Sequence, residues 1–376
     1  MPTLLSLPDR CHALILLALP DGASLSAAIL SHRAFADAAR AASVWRPLAL
    51  RLAWRLRLRA AEAYPSLCLR AARAATAQRL AALGGDRAVD ILRLDAAAPP
   101  DGQWESAPPL RRGARDAPCA ACDGTRVVVV GGWDAEAGVA LRTCEAAGVG
   151  EAGAAWEWEE GAALPAARCF AGAACDGAAR VWVAGGGDSI YRGAQCFAAV
   201  DVLERGEWRA GGALRTARCG LALAAEARRD ELWACGGYGG GEAYLQTVET
   251  FDMATGVGVE RPAMLYKRSG LGACFGPDGA LYVVGGSEDG ANALRSAERL
   301  DPREGRWQIL PSMLTPRGYL AATFDVSGRL YAVGGVNDVH GMPLSSVEIF
   351  DVPAGKWRPG PPMPHPRANL SLVLLA

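Results

Sequence analysis

The chain is 376 residues long and 51% hydrophobic, with 45 Gly, 23 Pro and 11 Cys, and its 39 basic and 40 acidic side chains leave a formal net charge of −1. That length accommodates two or three domains, no stretch approaches the ~20 apolar residues of a membrane-spanning helix, and no recognisable nucleic-acid motif accompanies the basic groups. An odd number of cysteines excludes complete disulfide pairing, and free thiols point to a reducing compartment, the cytoplasm or nucleus.

Residues 1 to about 60 show no strand alternation. Apolar side chains recur at helical spacing (Leu14, Leu17; Ile15, Leu19; Leu25, Ile29), with Asp21 and Ser24 placed as helix starts. Charge is concentrated here, since residues 1–80 carry 11 Arg against 4 acidic groups, a bias that suits an acidic protein partner or a solvated helix face. The apolar run from Ala13 to Pro20 is short and follows Asp9, which argues against a signal peptide or anchor. In order come Leu7-Pro8-Asp9, an apolar helix through Ile15 and Leu16, the Leu19-Pro20 step, Leu25 and Ile29 in the next helix, then Phe35 and Val44-Trp45. This order resembles the F-box, departing from it at Phe35, where the family commonly has Trp, and at Leu30-Ser31. Residues 61–85 read as a helical linker.

From Arg115 onward a unit of about 50 residues repeats five times. Each copy opens on an arginine (Arg115, Arg168, Arg218, Arg268, Arg317), and a sixth opens at Arg367. Each has a second strand ending in a glycine pair, from Gly131-Gly132 to Gly334-Gly335, most preceded by an aromatic (Trp182, Trp233, Tyr282, Tyr331). A third strand often closes on aspartate (Asp201, Asp252, Asp301, Asp351), and a fourth carries tryptophan (Trp158, Trp208, Trp307, Trp357), ten residues before the next arginine. Glycine suits the pair because it tolerates positive φ and close backbone approach. The large aromatics are suited to filling the wedge between adjacent sheets. In the third copy Gly258 stands where tryptophan is expected, and the first has a long Gly/Ala-rich stretch before Trp158.

These marks resemble the kelch family, whose members fold as all-β propellers with one repeat per blade. The implied division is an F-box module at 1–60, the linker at 61–85 and a kelch β-propeller at 86–376. Five units are joined by a sixth blade built from both chain ends: Asp95, Trp104 and their surroundings supply its last two strands, and Asn369–Leu375 supplies its first. No segment reads clearly as its second strand.

Catalysis finds little support. The histidines His12, His32, His340 and His365 form no set with cysteine or tyrosine, GYGGGEAY lacks the Lys-Ser/Thr of a phosphate loop, and there is no nucleophile elbow. Cys122, Cys175 and Cys274 sit six or seven residues after their arginines and read as small core residues. The one CxxC, Cys119 to Cys122, has no second pair, so no metal or other cofactor is expected.

The two resemblances together imply a non-catalytic substrate-recognition subunit of a Skp1–cullin–F-box ubiquitin ligase. Leu7, Pro8, Ile15, Leu16, Leu19, Pro20, Leu25, Ile29 and Trp45 would then dock a Skp1-like adaptor and, through it, a cullin. The propeller would bind a protein substrate through Arg168, Arg218, Arg268, Arg317 and Arg367, with Tyr191, Tyr238, Asp289, Asn337 and His340 from the loops. Exposed guanidinium groups would favour acidic or phosphorylated ligands. The competing reading is that the recurring arginines bond carbonyls of a neighbouring blade. Alternatives of other classes are a kelch interaction scaffold with no ligase role and a propeller enzyme.

Overall fold

A computed structural model of the chain describes residues 79–94, 102–149 and 156–375, apart from 177, 192, 227–229, 242 and 339–340. The F-box residues named above, and the linker as far as residue 78, lie outside the described residues. So does His340.

Six four-stranded antiparallel sheets form the blades of a propeller, and among the described residues there is no helix. Blade 1 comprises Cys119–Cys122, Arg126–Val130, Cys144–Gly148 and Trp158–Gly161, blade 2 runs from Gly172–Cys175 to Glu207–Ala213, and blade 3 from Ala222–Glu226 to Gly258–Arg261. Blade 4 runs from Gly272–Phe275 to Arg306–Leu310, and blade 5 from Ala321–Phe324 to Lys356–Gly360. In each the chain moves outward from an innermost strand that lines the centre.

Burial explains the residue choice in each strand. Second strands such as VWVA (Val181–Ala184) and LYVV (Leu281–Val284) are buried throughout, because neighbouring blades cover both faces of the sheet there. Fourth strands at the perimeter are more open, as in Lys356–Gly360, where Trp357 is buried between exposed Lys356 and half-buried Arg358. The tryptophans fill the inter-blade wedge and also pin it. The indole N–H of Trp158 donates to Pro108 O, Trp208 to Ala162 O, Trp307 to Pro262 O and Trp357 to Pro311 O, at 2.8–2.9 Å, each acceptor lying in the preceding blade. Trp104 does the same toward Pro361. At Gly258 the tryptophan's place is partly taken by Arg215, whose Cγ would lie 3.0 Å from a Cβ built on the glycine.

The sixth blade joins the chain ends. Ser371–Leu375 is its innermost strand and pairs antiparallel with Arg79–Leu83, in the register Leu80↔Leu374 and Ala82↔Leu372. Val89–Arg93 and Gln103–Ala107 complete it. Its second strand is therefore RLAAL, followed by the glycine pair Gly84-Gly85, and residues 79–85 belong to the propeller rather than to a helical linker. The propeller boundary moves from 86 to 79.

Candidate functional site

The arginines that open the repeats are 0–2% exposed and point into their own blades. Arg218 is typical. Its Nη1 donates to Gly236 O (2.8 Å) and Thr247 O (3.2 Å), and its Nη2 to Glu249 Oε1 (2.7 Å). Arg168 pairs with Asp201 (2.6 Å), Arg268 with Glu298 (2.8 Å), Arg317 with Glu348 (3.1 Å), Arg367 with Asp90 (2.6 Å) and Arg115 with Glu145. The carbonyls they bond belong to their own blade, not to a neighbouring one. The link between blades comes instead from the arginine backbone, whose carbonyl accepts the N–H of the second glycine of the preceding pair, as in Gly237 to Arg268 at 2.7 Å. Burial pushes the Arg218, Arg268 and Arg317 guanidinium groups down from their ordinary range, and the paired carboxylates oppose it. These side chains offer no exposed charge to a ligand.

Innermost strands begin, and second strands end, on one face of the ring, which therefore carries the loops after the glycine pairs and the turns before the arginines. Tyr191 stands on this face, 67% exposed, with its ring edge-on to Trp133 at 5.7 Å. Tyr238 is half-buried against Tyr244 at 5.3 Å. Asn337 is exposed. Asp289 is exposed too, but its carboxylate accepts the backbone N–H groups of Asn292 (2.7 Å) and Ala291 (2.8 Å), and these bonds hold it well below the usual carboxylate range. It organises its loop. The structure thus brings Tyr191, Tyr238, Asp289 and Asn337 to one face and withdraws the predicted arginines beneath it.

At the centre of this face is a ring that none of the repeat marks announces. One residue per blade enters the innermost strand in the left-handed region: Ala117 (φ 49°), Phe170 (53°), Gly220 (63°), Gly270 (62°), Tyr319 (55°) and Asn369 (52°). Their backbones form a chain of hydrogen bonds around the mouth: Phe170 N–H to Ala117 O (3.1 Å), Gly220 to Phe170 (2.8 Å), Gly270 to Gly220 (2.8 Å), Tyr319 to Gly270 (2.7 Å) and Asn369 to Tyr319 (2.9 Å). The last junction is closed by a side chain, because Asp116 Oδ1 accepts both Ala117 N–H and Asn369 Nδ2, each at 3.0 Å. Phe170 and Tyr319 lean toward each other with centroids 5.8 Å apart, and a Cβ on Gly270 would overlap the Tyr319 ring. Gly270 makes room for Tyr319, whereas a Cβ on Gly220 would meet the Ser269 hydroxyl. Aligning the repeats on their arginines shows the substitution of large residues at a glycine position.

Behind this mouth lies a channel of ≈ 400 Å³, lined by the innermost strands. Cys122, Cys175 and Cys274 are half-buried in its wall, not fully enclosed core residues. Among the described residues no group of three His, Cys, Asp or Glu side chains is placed to hold a metal ion.

The Kelch motif matches residues 268–314 and 326–364, which span blades 4 and 5 and the connections between their strands. The chain carries kelch motifs and folds as a six-bladed propeller. A solved structure titled "Structure of YjhT" resembles this kelch propeller with a TM-score of 0.60 at 14% identity, over 75% of this chain and 96% of that one, a likeness of fold alone. No curated protein matches the chain by sequence.

Proposed function

We propose that this kelch propeller is a non-catalytic protein-binding module that captures its partner on the face carrying the post-glycine loops. The observation that carries this reading is the distribution of exposed apolar side chains. Among the described residues nine large ones are exposed, and six of them (Val139, Tyr191, Leu265, Tyr266, Leu314, Met342) lie on that face. The opposite face is built from tight turns capped by carboxylates, such as Asp252 accepting the N–H groups of Ala254 and Thr255. Aromatic and apolar anchors with a polar surround are what a protein interface needs.

The F-box resemblance of residues 1–60 extends the proposal: the chain serves as the substrate-recognition subunit of a Skp1–cullin–F-box ubiquitin ligase, with Leu7, Pro8, Ile15 and Leu19 among the adaptor anchors. Its contribution is positional, raising the effective concentration of a substrate lysine near a ubiquitin-charged enzyme. Co-purification with a Skp1-like adaptor and a cullin tests it. Replacing Leu7 and Pro8 together by alanine should weaken that association by about 2 kcal/mol or more. Unchanged recovery of both partners would leave the interaction scaffold as the surviving reading.

A further inference from the structure

Cys196 lies on the returning arm of the blade 2 loop, bridged across to Gly187. Cys219 lies at the entry to blade 3, where it exchanges both backbone hydrogen bonds with Tyr238 (2.9 and 2.7 Å). Their sulfur atoms are 3.2 Å apart, so forming a disulfide of about 2.05 Å requires an approach of roughly 1 Å. The Sγ of Cys196 also stands 3.1 Å from the Tyr238 carbonyl.

Gly187 makes this meeting sterically open. The bridged position after the glycine pair is Trp133 in blade 1, Tyr238 in blade 3, Ser287 in blade 4 and Val336 in blade 5. In blade 2 it has no side chain, and a Cβ there would lie 3.5 Å from the Cys219 Cβ and 3.2 Å from Gln195 O.

The two thiols are also chemically unequal. Cys219 is buried, and its hydrogen bond with Cys196 together with burial raises its thiol. Cys196 is half-exposed, and that same hydrogen bond pulls its thiol below the ordinary range, with burial and Asp188 opposing. Burial pushes Cys119, Cys169, Cys175 and Cys235 up to about 12, which makes each a poorer first nucleophile than Cys196.

We propose that Cys196 and Cys219 are a modification site, a dithiol that a low-molecular-weight disulfide such as oxidised glutathione converts to an intramolecular disulfide tying the blade 2 loop to blade 3. The Cys196 thiolate attacks one glutathione sulfur, forms a mixed disulfide and expels one glutathione thiolate. Cys219, on losing its proton to solvent, attacks the Cys196 sulfur and expels the second glutathione thiolate. Two protein thiols become one disulfide while one glutathione disulfide becomes two thiols. The loop so anchored carries Tyr191, so the bond restrains an exposed aromatic of the loop face whatever ligand that face takes.

The test uses the reduced full-length chain, freed of reductant and incubated with oxidised glutathione, then alkylated and digested without reduction. The expected result is a linked peptide pair containing Cys196 and Cys219, reversed by dithiothreitol, with slower amide exchange at residues 188–196 and a higher Tm. Cys219→Ser should instead retain one glutathione on Cys196 and show no rise in Tm, whereas Cys169→Ser should keep the link. The proposal is overturned if wild-type Cys196 and Cys219 are recovered as separate alkylated thiols, if glutathione persists on wild-type Cys196, or if Cys196 links to another cysteine. Because the wild-type peptide map decides among these outcomes, a Cys219 variant that fails to fold does not rescue the idea.

Discussion

Arg218 and Glu249 form a two-sided clasp. One carboxylate oxygen of Glu249 accepts the Arg218 guanidinium at 2.7 Å, and the other accepts the backbone N–H of Arg215 at 2.6 Å, so a single buried side chain fixes both the arginine and the turn that precedes it. The same clasp recurs at Leu265 with Glu298 and at Leu314 with Glu348. Removing one partner of a buried pair strands the other charge away from water. Arg218→Met should therefore destabilise the propeller by about 3–5 kcal/mol, read as a fall in Tm and loss of soluble protein. The double variant Arg218→Met/Glu249→Leu should recover part of that loss. A soluble Arg218→Met protein with an unchanged Tm would contradict the clasp.

The glycine pair has an equally local cause. Gly236 adopts φ +59°, and a Cβ there would overlap the carbonyl oxygen of Arg268 in the next blade. Gly240 also has positive φ (+84°), but a Cβ there meets nothing within 4 Å. Gly240→Ala should therefore cost about 1 kcal/mol, the backbone term alone, and Gly236→Ala about 2 kcal/mol or more because overlap adds to it. Equal melting temperatures for the two variants would show that close approach is not what requires the glycine.

Much of this architecture was legible because each mark reports a short-range constraint that repeats at one period. The arginines, glycine pairs and tryptophans all act at blade junctions, and they reappear wherever a junction does. The acidic partners were not legible. Asp252, Asp301 and Asp351 stand out by spacing yet cap turns, while the buried partners are Glu249, Glu298 and Glu348, three positions earlier. Asp201, grouped with the turn aspartates by residue type, belongs structurally with the buried glutamates. Gly84-Gly85 escaped notice because RLAAL has no aromatic before the pair and lies at the far end of the chain from the strand it joins. The loop face was readable as a set of loops, and the recurrence of the arginines already offered a structural role for them; their buried carboxylates and own-blade carbonyls were not readable, since charge alone does not reveal a partner supplied from elsewhere in the same blade.

Asp176 gives the propeller an acid sensitivity whose sign follows from its bonds. Burial pushes its carboxyl up, but hydrogen bonds from Trp182 Nε1 (2.7 Å), Arg180 Nε (2.7 Å) and the backbone N–H groups of Arg180 (3.0 Å) and Ala178 (2.8 Å) outweigh burial and leave it below the ordinary range. A carboxyl lowered in the folded state contributes stability above its unfolded value of about 3.9, and this is lost as pH falls through the folded value. Asp176→Asn should thus be less stable than wild type at pH 7, with the difference shrinking below about pH 4. Denaturant titrations at neutral and acidic pH measure it. A difference that stays constant across that range would mean the charge of Asp176 contributes nothing.

Ring closure rests on the strand Ser371–Leu375, whose partner Arg79–Leu83 comes from nearly 300 residues earlier in the chain. Val373 and Leu375 are buried in the junction with blade 1, whereas Leu370, Leu372 and Leu374 pack into the junction with blade 5 on the opposite face of the strand. Before them, Asn369 completes the hydrogen-bonded ring at the channel mouth through Asp116, and Arg367 clasps Asp90 of the same blade. Deleting residues 367–376 removes all of these and opens two blade faces and unpaired strand edges to solvent. Each buried aliphatic side chain is worth about 1.5–3 kcal/mol, and a typical domain is held together by about 5–15 kcal/mol. The truncated chain should therefore aggregate or melt far below the parent, and adding the deleted segment back as a free peptide should restore part of the Tm. A monomeric truncation that melts within a few degrees of the full chain would mean that the two ends of the chain do not share a blade in solution.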